Sequence, residues 1–186
     1  MEKENFRQLI HASGIFIVFV NVFLSPIIAI LVCIAIVLFV EAIFRIDENR
    51  KVFMFSTILT KCKRKNDEKG FVYFFVGIIL TLYLFKFNIS LANAAIIIFL
   101  LGDSASTIFG RRFGKTNLPF HKKKTIVGTS AFFIVALIGA LTQLPLLPAL
   151  FGALSGAITE AYSPVDDNIP IPVIAGVAMS LVIYLI

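Results

Sequence analysis

Charge is scarce in this sequence: Asp, Glu, Lys and Arg make up 15% of the 186 residues, against about 25% in ordinary soluble domains. Tryptophan is absent, whereas phenylalanine contributes 20 residues and hydrophobic residues together 59%. Mean hydropathy is +0.95. One soluble core could not bury so much apolar surface, and the same composition excludes disorder, collagen and coiled coil. We therefore expect an all-α, polytopic membrane protein with a single integral membrane domain over 1–186.

Cysteine is equally scarce. Cys33 lies inside an apolar run, Cys62 lies in a basic segment, and no Cys-x-x-Cys is present. This excludes a disulfide framework and a zinc site of the usual spacing. The N-terminal segment mixes both charges and leads into the first apolar run without a small-residue cleavage site, so no signal peptide is expected.

Apolar runs long enough for membrane helices recur along the chain, since a span needs about 20 mostly apolar residues. Lys and Arg are concentrated in the connections 45–69, with eight, and 110–124, with six. The positive-inside rule places these connections and the N-terminus in the cytoplasm and the C-terminus outside. The seven predicted spans are 6–24, 26–45, 70–87, 89–110, 125–144, 146–163 and 169–186.

Acidic residues within these spans are few and lie close to one membrane face. Glu41, Asp103 and Glu160 each fall a few residues from the predicted cytoplasmic end of a span, and Asp166 and Asp167 lie in a connection on that side. Ionisable groups inside a bilayer are costly and usually functional. A transporter would place some of them near the midplane, so this distribution predicts a site at the cytoplasmic face.

The connection 110–125 combines basic residues with glycines. Membrane topology and attraction to anionic lipids account for at least half of its charge, but topology does not require Gly110 or Gly114. Glycines let backbone N–H groups approach an anion, and Arg offers phosphate a bidentate fork. Gly114-Lys115-Thr116 resembles the end of a P-loop, but Phe109 stands where that motif needs Gly, which excludes the motif.

The segment 160–168 is acidic on a side that is otherwise basic. It holds three acids within eight residues. One interpretation is a solvated turn with Asn168 as the N-cap of the last helix. The other, which the clustering favours, is metal ligation, since Mg²⁺ prefers carboxylate oxygens and substrate phosphates. Asp103 has the same two interpretations: a buried acid satisfied by Ser and Thr hydroxyls, or a metal ligand.

Five groups of residues, in this order, resemble the CTP-dependent lipid kinases: dolichol kinase, yeast-type diacylglycerol kinase and phytol kinase, which are related to the phosphatidate cytidylyltransferases. This chain has Gln8 where the family has Lys, Val127 where it has Glu, and no strong cytidylyltransferase signature. The groups are Arg7-x-x-x-His11-x-x-Gly14; Glu68 with Gly70, Tyr73 and Gly77; Gly102-Asp103 with Gly110-Arg111 and Gly114-Lys115; Lys123-Lys124-Thr125-x-x-Gly128-Thr129; and Glu160 with Asp167-Asn168-x-x-x-Pro172.

The resemblance implies transfer of the γ-phosphate of CTP to a polyprenol-like, dolichol-like or diacylglycerol alcohol, with Mg²⁺ as cofactor. It implies an integral membrane enzyme (cell membrane in a prokaryote, endoplasmic reticulum in a eukaryote) whose partners are CTP and lipids and no nucleic acid. Asp103, Glu160 and Asp167 would hold the metal, and Asp103, Glu68 and His11 would be catalytic. The implied phosphate-binding residues are Arg7, Gly110, Arg111, Gly114, Lys115, Lys123, Lys124, Thr125 and Gly128.

Two alternatives stay open. The first is a phosphatidate cytidylyltransferase, which would use the same nucleotide and metal to make a CDP-lipid. The second is a small transporter, for which Asn21 and Asn93 are the main polar candidates within the spans.

Overall fold

The computed structural model describes residues 8, 11–50, 70–119 and 124–185. This part of the chain forms seven helices and no strand, apart from one isolated antiparallel bridge between Asn117 and Thr125. The expectation of an all-α architecture is confirmed for these residues. The helices are α1 (Ile15–Phe23), α2 (Pro26–Arg50), α3 (Gly70–Leu84), α4 (Ile89–Phe113), α5 (Ile126–Ala140), α6 (Leu146–Tyr162) and α7 (Pro170–Leu185).

Local chemistry explains where several helices begin. Pro26 occupies the first turn of α2, where its missing N–H costs little, and the Ser25 hydroxyl accepts from the N–H of Ile28 at 3.2 Å. The Asn88 side chain caps α4 by accepting from the N–H of Leu91 at 3.0 Å. Asn168, considered above as an N-cap, does not take that role, because α7 begins two residues later at Pro170.

The helix α4 forms the centre of the bundle. It packs against α1, α3, α5, α6 and α7, whereas α2 packs mainly on α1 and α3. Ile96 and Phe99 of α4 and Phe132 of α5 are fully buried. Because α4 touches most other helices, a side chain near its C-terminal end can meet residues from several parts of the chain.

The outer faces of the helices are apolar and exposed, as at Phe23, Leu38 and Ile138, which are 77%, 61% and 63% exposed. Two described helices are long and apolar enough to cross a membrane: α2 over Pro26–Ile43 and α4. The other apolar helices have 10–17 residues. These features are consistent with membrane association, while seven spans, their orientation and a single domain over 1–186 stay predictions.

Short connections bring four helix ends together. The connection 141–145 joins α5 and α6, so these neighbours run antiparallel. The C-terminal ends of α4 and α6 therefore lie beside the N-terminal ends of α5 and α7. Most of the predicted site residues are at this end of the bundle.

Candidate functional site

Three acids from different elements meet at this end. Asp103 comes from α4, Glu160 from the last turns of α6, and Asp167 from the connection to α7. One carboxylate oxygen of each lies within 4.8 Å of the other two. Glu160 is only 2% exposed. The structure thus brings together the three residues predicted as metal ligands, and we refer to them as the acid cluster.

Lys124 lies against the acid cluster. Its Nζ donates to Glu160 Oε1 at 2.5 Å and to Asp167 Oδ2 at 3.0 Å. Burial alone would lower the pKa of Lys124, but the charges of Asp167, Glu160 and Asp103 and the hydrogen bond to Glu160 outweigh it and raise that pKa above its ordinary value. Lys124 therefore stays protonated at neutral pH and neutralises part of the cluster's charge.

One oxygen of Glu160 has no hydrogen-bond partner in the part of the chain that the structure describes. Oε1 accepts from Ser106 Oγ at 2.8 Å as well as from Lys124, whereas Oε2 is buried without a partner. A buried carboxylate oxygen without a donor is costly. A hard divalent cation that takes oxygen ligands would satisfy it, so the donor set fits Mg²⁺.

His11 contacts the acid cluster through Asp103. Its Nδ1 lies 3.1 Å from Asp103 Oδ2, and both side chains are largely buried. The imidazole ring packs against Phe74 and Phe99, with ring centroids 4.5 and 4.9 Å away. His11 therefore holds Asp103 in place, and aromatic packing holds His11.

Asp167 is positioned by contacts between the α6–α7 connection and α3. The Asn168 side chain donates to the carbonyl of Gly70 at 3.5 Å, and the N–H of Asn168 donates to Asp166 Oδ1 at 3.1 Å. Gly77 lies so close to the backbone of Asn168 that a Cβ there would collide with it. The glycines of the third predicted span thus let α3 approach the acidic turn.

Thr125 organises the start of α5. Its hydroxyl accepts from the N–H of Gly128 at 3.1 Å, which caps the helix. A Cβ on Gly110 would lie 3.1 Å from that hydroxyl, and one on Gly114 would collide with Thr125. The structure therefore assigns these three glycines and Thr125 a packing function, while phosphate binding by them stays a prediction.

Two further predicted phosphate-binding cations, Arg111 and Lys115, are exposed. Arg111 and Lys115 follow Asp103 along and beyond α4. At 1.5 Å per helical residue, Arg111 lies about 12 Å beyond Asp103 along the axis. The predicted phosphate-binding set is thus divided between Lys124 at the acids and exposed cations beyond them. Arg7, Glu68 and Lys123 lie outside the described residues.

One other acid and one hydroxyl depart from what the sequence predicts. Glu41 is not part of the acid cluster; it is exposed on α2 and pairs with Arg45 at 3.4 Å. Ser106, which belongs to none of the motifs above, donates to Glu160. Its spacing of three residues from Asp103 puts it on the same helix face, and this spacing was the available signal.

The asparagines considered for a transport pathway bind each other instead. Asn21 Nδ2 donates to Asn93 Oδ1 at 2.7 Å, and Asn93 Nδ2 donates to Gln143 Oε1 at 3.4 Å. Both asparagines are fully buried. They link α1, α4 and the α5–α6 connection, so an interhelical contact accounts for their presence.

Comparison with known proteins identifies a relative over nearly the whole chain. An uncharacterized protein of Methanocaldococcus jannaschii is 32% identical over 182 residues, which cover 92% of this chain and 90% of that protein. The chain belongs to the same family as this archaeal protein. No protein-family model and no solved structure matches the chain.

A second relative is similar over a shorter segment. The protein named "probable phytol kinase, chloroplastic" of Triticum aestivum is 30% identical over 79 residues. The matched segment covers 42% of this chain and 26% of the length of the wheat protein. This partial similarity is consistent with the lipid kinases that the motifs resemble.

Proposed function

We propose that this protein is a CTP-dependent lipid kinase that transfers the γ-phosphate of CTP to the hydroxyl of a membrane lipid alcohol. The observation that carries the proposal is the meeting of Asp103, Glu160, Asp167 and Lys124 at one end of an apolar helix bundle. The partial similarity to a phytol kinase supports the same reaction class. In a cell, this end of the bundle would face the cytoplasm, where the nucleotide is.

The arrangement suits phosphoryl transfer, which depends on positioning and on neutralising phosphate charge more than on covalent chemistry. Asp103, Glu160 and Asp167 would hold Mg²⁺, which supplies positive charge to phosphate oxygens when bound. Lys124 provides a further cation beside the same acids. Mg²⁺ held by the acids would therefore act jointly with Lys124 in binding the phosphates.

Different residues would attract the nucleotide and orient the lipid hydroxyl. The exposed cations Arg111 and Lys115 lie beyond the acid cluster and would attract the anionic nucleotide from solution. Asp103, whose carboxylate is held by His11, would orient the lipid hydroxyl, or Glu68 would do so. His11 acts on Asp103 and is in this proposal a positioning residue.

The test uses the purified protein in lipid vesicles with Mg²⁺, polyprenol, diacylglycerol and phosphatidic acid. CTP carries one label on the γ-phosphate and another on the cytosine. We expect the γ-label alone to enter lipid, and the labelled product identifies the acceptor. Entry of the cytosine label into lipid would instead establish a cytidylyltransferase.

The first variant to compare is Asp103→Asn, which removes a charge from the acid cluster at nearly constant volume. We expect transfer of the γ-label to fall about 100-fold or more. Glu41→Gln is the matched control, because Glu41 is also a helical acid but is exposed and pairs with Arg45. Full activity of Asp103→Asn would contradict the proposal.

A further inference from the structure

A groove of about 480 Å³ runs between α5 and α6. This volume falls within the range of about 300–1,000 Å³ that is usual for small-molecule sites. Its walls are mainly apolar and include Phe133 of α5 and Leu154 and Ala157 of α6, and Leu118 from the preceding loop joins them. The groove is thus suited to a hydrocarbon ligand.

The two ends of the groove differ in polarity. Because α5 and α6 run antiparallel, Thr129 and Ser130 near the start of α5 lie at the same end as Ala161 and Tyr162 of α6. Towards the other end the lining consists of aliphatic and aromatic side chains such as Leu154. A ligand that matches this gradient has one polar end and a long apolar remainder.

The polar end of the groove adjoins the acid cluster. Ala161 follows Glu160 directly in α6. Gly128, which precedes Thr129, packs against Ser106, with a Cβ position 3.2 Å from Ser106 Oγ, and Ser106 donates to Glu160. The groove and the acid cluster are therefore adjacent parts of one region.

Thr129 indicates what the polar end binds. Its hydroxyl is buried and has no hydrogen-bond partner in the ranges that the structure describes. A buried hydroxyl without a partner is costly, and a hydrocarbon chain alone would leave it so. A neutral ligand hydroxyl in the groove would satisfy it once the Thr129 side chain turns about χ1 towards the groove, a change between the two rotamers that Thr adopts in helices.

We propose that this groove binds the hydrocarbon chain of a membrane lipid alcohol and that the alcohol's hydroxyl lies at Thr129, next to the acid cluster. The choice of an alcohol rests on the proposed kinase function. The groove then defines the acceptor side of the reaction. This places the hydroxyl next to Gly128, which packs against Ser106, and its chain in an apolar lining.

The test is photo-crosslinking with a long-chain alcohol that carries a diazirine in its chain, in phosphatidylcholine vesicles without nucleotide. We expect the labelled peptides to come from α5 and α6. Leu154→Trp, which fills the groove, should lower the labelling about tenfold. Leu147→Trp is the matched control: both leucines are 47% exposed and lie seven residues apart on α6, but Leu147 is outside the lining.

The polar end is tested by Thr129→Val and by a diazirine alkane of the same length. Thr129→Val should lower labelling by the alcohol to the level reached by the alkane. Equal labelling of the groove by alkane and alcohol in the wild-type protein would show bilayer lipid only and would overturn the proposal. Unchanged labelling in Leu154→Trp would overturn it as well.

Phosphoryl transfer separates this proposal from the kinase function on which it rests. One outcome is that groove labelling responds to Leu154→Trp and Thr129→Val but no phosphate is transferred to any lipid. This outcome would contradict the kinase function and support the alcohol-binding groove. Equal transfer rates in Leu154→Trp and Leu147→Trp would contradict the groove as the acceptor site and leave the kinase function intact.

Discussion

Lys124 balances part of the charge of the acid cluster. Three carboxylates from distant parts of the chain come within 4.8 Å of one another, and like charges at that distance repel. The ammonium group contacts two of them. Its loss would remove the cation that contacts Glu160 and Asp167 and would increase the repulsion among these partly buried carboxylates.

The first residue-scale prediction follows for Lys124→Met, which keeps most of the side-chain volume. We expect the free energy of unfolding in detergent to fall by about 2 kcal/mol, between the values for exposed and buried ion pairs. Added Mg²⁺ should restore part of the loss, because it would supply the missing positive charge. Thermal unfolding with and without Mg²⁺ measures both effects.

The control for this substitution is Lys86→Met, since Lys86 is exposed and stacks on the rings of Tyr83 and Phe87.

The contribution of Lys124 to stability also has a predicted pH dependence. Because its pKa is raised in the folded protein, the stabilisation is fully present below about pH 10.4 and is lost as pH rises through the higher folded pKa. Equal stability of Lys124→Met and wild type at pH 7 would contradict this account.

The second residue-scale prediction concerns His11. His11→Phe keeps an aromatic ring against Phe74 and Phe99 but removes the nitrogen that faces Asp103. We expect kcat to fall about 10- to 100-fold with little change in KM for CTP, because loss of an orienting hydrogen bond misplaces Asp103.

His11→Asn separates positioning from packing. The amide nitrogen of Asn can take the place of Nδ1, so this variant should retain more activity than His11→Phe although it packs less well. Steady-state kinetics of both variants provide the comparison. A change in KM alone, or lower activity in His11→Asn than in His11→Phe, would contradict a positioning role.

At the element scale, a hydrogen bond between two buried side-chain amides connects α1 to α4. The Asn21–Asn93 hydrogen bond joins α1 to α4 within a fully buried environment. Removing one partner leaves the other amide unsatisfied, whereas replacing both with apolar residues can be nearly neutral. The pair therefore offers a direct measure of how α1 is attached to the central helix.

The element-scale prediction is a double-mutant cycle. Asn93→Leu alone should cost about 1–3 kcal/mol of unfolding free energy, and Asn21→Leu a similar amount. The double variant should lose less than the sum, with a coupling of about 1 kcal/mol. Additive losses would show that the two amides do not interact, and loss of lipid phosphorylation in a stable double variant would give them a functional role.

For the whole molecule, the exposed apolar faces and the basic connections predict how the bundle lies in a membrane. The helix α4 has 25 residues. It is therefore about 37 Å long, against about 30 Å for the hydrocarbon core of a bilayer. Lys86 precedes it and Lys115 follows it, and both side chains are exposed.

The molecule-scale prediction is that these two positions lie on opposite sides of the membrane. Single cysteines replace Lys86 or Lys115 in a variant that carries Cys33→Ala and Cys62→Ala. A membrane-impermeant thiol reagent should reach position 115 only from the cytoplasmic side and position 86 only from the other side. Labelling of both from one side would contradict the proposed topology.

Much of the local architecture was predictable from hydropathy, but the helix ends were not. The helix α4 continues to Phe113, although the predicted span ended at 110, and α5 ends at Ala140 instead of 144. Apolar runs end where charge begins, whereas backbone hydrogen bonds continue through Arg111 and Arg112 because both residues are good helix formers. Caps such as Asn88 and Thr125 decide where α4 and α5 begin.

By itself, the sequence determined the all-helical character of the described residues, the candidate acids and the basic connection, because these depend on composition and on neighbours along the chain. The tertiary structure alone decided that Lys124 contacts the acids, that glycines surround Thr125 and that His11 holds Asp103. It also created the groove between α5 and α6. These features depend on how helices pack across long sequence separations, and hydropathy patterns do not specify that packing.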